Sequence, residues 1–364
     1  MVRTFNPSRL DVARKRRGLT KTELASQAGV SMSSLAAYER GTKQPTAETV
    51  ARLSTTLAYP ADFFFGDDLD EPPLEGSSFR ALSTLTARER HRAQSAATLA
   101  LALGAWIDAR FTVPPPTIPN LAGMDPPVAA AAVRSEWGLG ERPIKNMVHL
   151  LEAHGVRVFS LTDDCADMDA FSFWRRDTPH AFLNTMKSAE RGRMDAAHEL
   201  GHLVLHQGQL GARGRPAEHE ANLFASSFLM PEGSVLAEAP RGGYLDQILT
   251  AKHRWKVSAA ALAHRMHQLN LLSEWQYRSL FIELGREGYR SGEKDGMPRE
   301  TSQILGKVFA ALRDEGVSMA GIAAELHLPV DELSKLVFGL VLVPLDGGGE
   351  QGGGGTRPTL TVVR

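Results

Sequence analysis

Residues 194–206 read MDAAHELGHLVLH. On a helix, His198 and His202 are four residues apart, so both imidazoles project from one face toward one ion. Glu199 lies beside them, where its carboxylate can reach a water on the open side of such an ion and take its proton. Ala196, Ala197, Leu200, Leu203 and Val204 are small or apolar, as a helix buried on its other side requires. Gly201 allows another element to pack closely. A pair of satisfied core histidines is the bland alternative. The polar His-Glu face on an apolar helix, together with a third ligand downstream, weighs against it.

His206 fails as that third ligand. It is eight residues from His198, about 12 Å along a helix, and three imidazoles of one straight helix cannot share a tetrahedral ion. A longer motif with Gly and His further downstream fails too, because those positions hold Leu205 and Gly208. The stretch EHEANLFASSFLMP, residues 218–231, supplies a better candidate. Glu218 and Asn222 share one helical face, so Glu218 is expected to bind the metal and Asn222 to hold His198 or His202 by its second nitrogen. Glu220 competes for the ligand role but points about 160° around the helix from Asn222.

The chain has 364 residues, enough for two or three domains with their own cores. Its net charge of −1 hides an asymmetry: residues 1–60 carry ten Lys or Arg against four Asp or Glu. A basic segment on a neutral chain points to nucleic acid. Cys165 is the only cysteine, which excludes an internal disulfide and a thiolate cluster. Its acidic neighbours do not favour a reactive thiolate. The N-terminus lacks the apolar run of a signal peptide, and no stretch reads as a membrane span. The expected location is cytoplasmic.

Within residues 1–70 the pattern is that of short capped helices. Leu10–Arg17 forms the first and stops at Gly18. Thr20 caps the second with Glu23 at capping-box spacing, and Gly29 makes the turn. Ser31 caps the third, Ser31–Arg40, and Pro45-Thr46 opens the fourth at 46–57. A helix at 80–111 carries Leu85, Leu99, Leu101 and Leu103, which fit either a homodimer contact or packing on the rest of the chain. Prolines at 114–116, 119 and 126–127 then place a linker at 112–127.

From 128 the pattern is mixed. Helices at 128–138 and 143–154 precede strands at 156–161, 170–174 and 180–184. The last strand is a candidate to pair with an extended peptide. Helices follow at about 190–207, 217–229, 257–269 and 274–285. A C-terminal unit within 296–346 contains helices at 303–314, 318–326 and 330–338. The tail 347–364 opens with seven glycines in nine residues and reads as flexible. The fold class expected is mainly α with a small α+β part.

Leu19-Thr20, Glu23-Leu24-Ala25, Gly29-Val30-Ser31, Tyr38-Glu39-Arg40-Gly41 and Pro45-Thr46 carry a resemblance to the repressor-type (XRE/Cro-like) helix-turn-helix family. It implies that the third helix enters the major groove. Ser31, Met32, Ser33 and Arg40 would then face DNA. Arg16, Arg17, Lys21 and Lys43 would meet phosphates, which give affinity without sequence information.

Residues 128–295 resemble the ImmA/IrrE family of metallopeptidases. The carrying motifs are Trp137-Gly138-Leu139-Gly140, Pro143-Ile144, Asp169-Ala170-Phe171-Ser172, Leu183-Asn184, Ala197-His198-Glu199-Leu200-Gly201-His202, Glu218 with Ala221-Asn222, and Leu229-Met230-Pro231. The resemblance implies a gluzincin-like site, with Zn2+ on His198, His202 and Glu218, and Glu199 moving the proton. It implies a small sheet packed on the active-site helix and a peptidase that cuts a helix-turn-helix repressor in a stress, phage or mobile-element response. Two other readings fit the residues: a transcription factor whose peptidase fold senses a ligand or damage without turnover, and an antitoxin-like component of a toxin or phage-defence locus. His206, His180 and Tyr244 are candidates to stabilise an oxyanion.

Overall fold

Asn6 sets the start of the first helix. Its side chain accepts from the Ser8 N–H at 2.9 Å and Pro7 stands in the first turn, so α1 runs Pro7–Arg16, three residues ahead of the sequence expectation. The computed structural model describes residues 4–73, 86–161, 168–208, 214–289 and 292–341. Cys165, Leu85 and the glycine-rich tail lie outside the described residues.

Helices α2 (Lys21–Gln27), α3 (Met32–Glu39) and α4 (Ala47–Leu57) follow. Thr20 and Glu23 form the expected capping box, and Ser31 and Thr46 cap α3 and α4. Leu10, Leu24, Leu35, Leu53 and Leu57 are fully buried and form the core of this bundle. Phe63 and Phe64, in a short 3-10 turn at Ala61–Phe65, extend it against α1.

Helix α5 (Ala87–Asp108) begins at a second capping box, Thr86 with Glu89. Leu99, Leu101 and Leu103 are buried within the chain, where α5 packs against α1 and the sheet. Those three leucines are therefore core residues rather than a free dimer face.

The proline-rich stretch departs from the expectation of a plain linker. Pro126 and Pro127 open α6 (Pro126–Glu136), because a missing N–H costs nothing in a first helical turn. Upstream, the Thr117 N–H donates to the His154 carbonyl at 3.1 Å and the Leu121 N–H to the Val204 carbonyl at 2.9 Å. Gly155, at φ +83°, lies against this segment so closely that a Cβ there would sit 2.4 Å from the Pro116 nitrogen. Thus 112–125 is docked chain without helix.

Helix α7 (Met147–Ala153) leads into a three-stranded sheet of β1 (Arg157–Leu161), β2 (Phe171–Arg175) and β3 (Thr178–Asn184), in the order β1-β3-β2. The β2–β3 hairpin turns on Arg176-Asp177, with Arg176 at φ 51°. β3 pairs parallel with β1 and antiparallel with β2. This corrects the expectation that 180–184 offers an edge to a peptide: both edges of β3 are already paired. One sheet face carries Phe159, Phe171 and Phe182, with Phe182 stacked on the other two at 5.6 and 4.6 Å. Phe159 on this face lies against Gly104 of α5. The other face lies on α8 (Ala189–Leu205), where Ser172 Oγ donates to the Glu199 carbonyl and Trp174 Nε1 to the Leu203 carbonyl.

Helix α9 (Arg215–Leu229) packs along α8 and α6. Two helices absent from the sequence reading follow, α10 (Glu232–Glu238) and α11 (Leu245–Trp255). Neither has a side-chain N-cap, and α10 is only seven residues long. After them come α12 (Ala259–Gln268) and α13 (Glu274–Arg286).

The C-terminal helices α14 (Gln303–Asp314), α15 (Met319–Leu326) and α16 (Val330–Val337) close against the rest of the chain. Glu152 accepts from the Gln303 and Ile304 N–H groups at 2.8 and 3.1 Å, capping α14 from α7. Glu325 accepts from Trp106 Nε1 at 2.9 Å and pairs with Arg110 at 2.6 Å. Glu332, buried, accepts from Arg16 Nε at 2.6 Å and Arg17 Nη1 at 2.7 Å. Among the described residues, no helix is long and apolar enough to cross a membrane.

Candidate metal centre

Helices α8 and α9 pack closely against each other. Gly201 removes the side chain that would hold the helices apart: a Cβ there would lie 3.2 Å from Ala221 Cα, Ala221 O and Phe224 Cδ1. The close approach brings Glu218, in the first turn of α9, to His198 and His202 near the end of α8.

The three side chains converge. His198 Nε2 is 3.1 Å from His202 Nε2 and 3.1 Å from Glu218 Oε2, and His202 Nε2 is 3.5 Å from Glu218 Oε1. Their ligand atoms all lie within 4.8 Å of one another. Tetrahedral zinc with bonds of about 2.0–2.1 Å holds its donors about 3.3 Å apart, the spacing seen here. His198 Nδ1 meets Asn222 Oδ1 at 3.0 Å, and that contact needs the imidazole proton on Nδ1. His202 Nδ1 is engaged likewise, 3.0 Å from His206 Nδ1. With both protons on Nδ1, two Nε2 lone pairs and a carboxylate point at one another, an arrangement that a cation relieves. The residues therefore fit a zinc ion.

Electrostatics agree. Without an ion, protons on the two Nε2 atoms let His198, and after it His202, donate to Glu218 and hold its carboxyl well below the usual carboxylate range; a cation takes the place of those protons. Burial disfavours charge on His198, but the Glu218 hydrogen bond and the Glu199 and Glu218 charges outweigh it and raise its pKa. Glu199 is buried on α8 beside His198.

Each expected site residue has a definite place. His198, His202 and Glu218 form the cluster and Asn222 contacts His198. Glu220 points elsewhere, to His206 Nε2 at 2.9 Å. That pairing was not legible as a function, although His206 is one helical turn from His202. Of the oxyanion candidates, His180 is buried in the sheet, stacked on Phe173 at 5.3 Å, and burial pushes its pKa down to about 4. Tyr244 is 66% exposed at the start of α11.

In the N-terminal bundle, Ser31, Met32 and Ser33 are exposed at the start of α3, as are Arg40 and Lys43 beyond its end. Ser31 Oγ is engaged in the cap, accepting from the Ser34 N–H at 3.1 Å. Lys43 lies over the Tyr38 ring at 5.8 Å, and Lys21 pairs with Glu39 at 2.6 Å. Arg16 and Arg17 are corrections. Arg16 is 4% exposed, and both guanidiniums are held by Glu332. Carboxylate pairing under α16 takes them away from any phosphate.

With this geometry in place, two family models match. The model described as helix-turn-helix (HTH_3) covers residues 12–64, from within α1 to the 3-10 turn. The model described as an IrrE N-terminal-like domain (Peptidase_M78) covers residues 151–267, from the end of α7 through the sheet, α8 and α9 into α12. No curated protein matches the chain. In N- to C-terminal order, the chain carries an XRE-like helix-turn-helix domain followed by a Peptidase_M78 domain of the IrrE/ImmA type.

Proposed function

We propose that the chain is a DNA-binding transcriptional regulator whose second domain is a zinc endopeptidase, acting in the cytoplasm on a helix-turn-helix repressor in a stress, phage or mobile-element response. The observation that carries the reading is the convergence of two imidazole lone pairs and a carboxylate at about zinc spacing, beside Glu199. A DNA-binding domain in the same chain favours gene control over digestion.

In this mechanism His198, His202 and Glu218 would hold the ion, and Asn222 orients His198 through its Nδ1. When bound there, zinc would supply Lewis acidity toward a scissile carbonyl and a water. Glu199 takes the proton of the attacking water and passes it to the leaving amine. Strand β2 lies on α8 beside the site. Ser172 and Trp174 tie that strand to the backbone of α8 on either side of His202 in sequence.

Glu218→Ala tests the site. Zinc bound per chain, measured by elemental analysis after gel filtration, is expected to fall from one to near zero while the helical content stays. Zinc retained at full stoichiometry would show that another residue completes the site. For the first domain, gel-shift titration on the chain's own promoter is expected to show binding that weakens as salt rises. Lys43→Ala is expected to weaken it on all sequences alike and to lower the salt slope by about one. No binding at low salt refutes the DNA-binding role.

A further inference from the structure

We propose that His206 and Glu220 are positioning residues for the metal site, forming a relay from α9 that fixes the tautomer and orientation of His202. The proposal rests on the metal-site reading above and extends it to two side chains outside the ligand set.

Proton bookkeeping carries the inference. His202 Nε2 is the nitrogen that faces His198 Nε2 and Glu218, so it is the ligating atom. A ligating nitrogen offers a lone pair, so the proton of neutral His202 sits on Nδ1. That Nδ1 is 3.0 Å from His206 Nδ1, which must therefore accept. His206 then carries its own proton on Nε2, 2.9 Å from Glu220 Oε2. With His202 ligating through Nε2, this is the assignment of neutral rings that gives every contact in the chain one donor and one acceptor. The His206 side chain is 1% exposed, so water cannot readily replace it. Glu220 is the half-exposed anchor.

The two ligating histidines are thus held from the same helix by different means. His198 is held directly by the neutral amide of Asn222. His202 is held through a second imidazole by a carboxylate, which makes it the more basic ligand. The position of His206 explains the route. It is the C-cap of α8, one turn beyond His202, and Glu220 leans across to it while Glu218 and Asn222 meet the two nitrogens of His198. A brace for the end of α8 would need the same contacts but would leave zinc affinity untouched.

The test uses the full chain with zinc alone as probe, in competition with a chromophoric chelator, and the thermal midpoint of the zinc-free chain as a control for folding. His206→Leu removes the acceptor and is expected to weaken zinc binding about 10–100-fold. His206→Gln restores an acceptor carbonyl and is expected to recover most of that loss. Glu220→Gln keeps the shape but removes the charge, and a smaller loss in the same direction is expected. Should His206→Leu not fold, Glu220→Ala, at the exposed end, is expected to show the loss. A wild-type chain that binds zinc while the folded variants bind it within about threefold of wild type overturns the relay alone. Glutamine no better than leucine at 206 also overturns it. A wild-type chain that takes up no zinc overturns both the relay and the metal site.

Discussion

Glu199→Gln is expected to keep its zinc and lose peptide cleavage by about 10²–10⁴-fold, the contribution of a positioned general base. The change is nearly isosteric, and Glu199 is not in the His198–His202–Glu218 cluster, so the ion stays. A carboxamide cannot take the proton from water, so the attack fails. The measurement is incubation of the purified, zinc-loaded chain with a candidate repressor, such as the product of a neighbouring gene, and mass spectrometry of the fragments. A variant that keeps zinc and still cuts at the wild-type rate would remove Glu199 from the mechanism. A wild-type chain that binds zinc and DNA but cuts none of its candidate repressors would favour a sensor.

The second large effect is on stability. Glu332→Ala is expected to cost about 3–5 kcal/mol, the usual result of removing one partner from a buried ion pair. Glu332 and Arg16 are 1% and 3% exposed at their side chains, so the guanidinium would lose a carboxylate that water does not readily replace. Arg17 would lose its closest carboxylate as well. The pair joins the first helix of the DNA-binding domain to α16 across 316 residues of sequence. Denaturant unfolding followed by far-UV circular dichroism measures the loss. The double replacement Arg16→Met with Glu332→Leu should recover much of it, because the buried charge goes together with its partner. A loss below about 1 kcal/mol for the single variant would mean that water reaches Arg16 and that the contact is not a clamp.

The four N-terminal helices were legible because their ends are written in local chemistry: Thr20 with Glu23, Ser31 and Thr46 each cap within three residues of themselves. Helix α8 was legible for a related reason, since a period of 3.6 residues fixes which of residues 198–206 share a face. Helices α10 and α11 were not: no side chain caps either, and the seven residues of α10 are too few for a helical period to show. The fate of Pro126-Pro127 was ambiguous, since two prolines fit a linker and a first helical turn equally well.

By itself the sequence determined the two imidazoles with their neighbouring carboxylate, the place of His206 one turn beyond them, and the helix-turn-helix register. All of these depend on spacings within one helix or one turn. Only the tertiary structure decided that Glu218 meets His198 and His202 while Glu220 meets His206, that β3 is central, and that Arg16 and Arg17 face α16. Those outcomes depend on how far one backbone stands from another. Gly201 sets the approach of α9, strand pairing is non-local, and Glu332 is more than 300 residues from the arginines it holds.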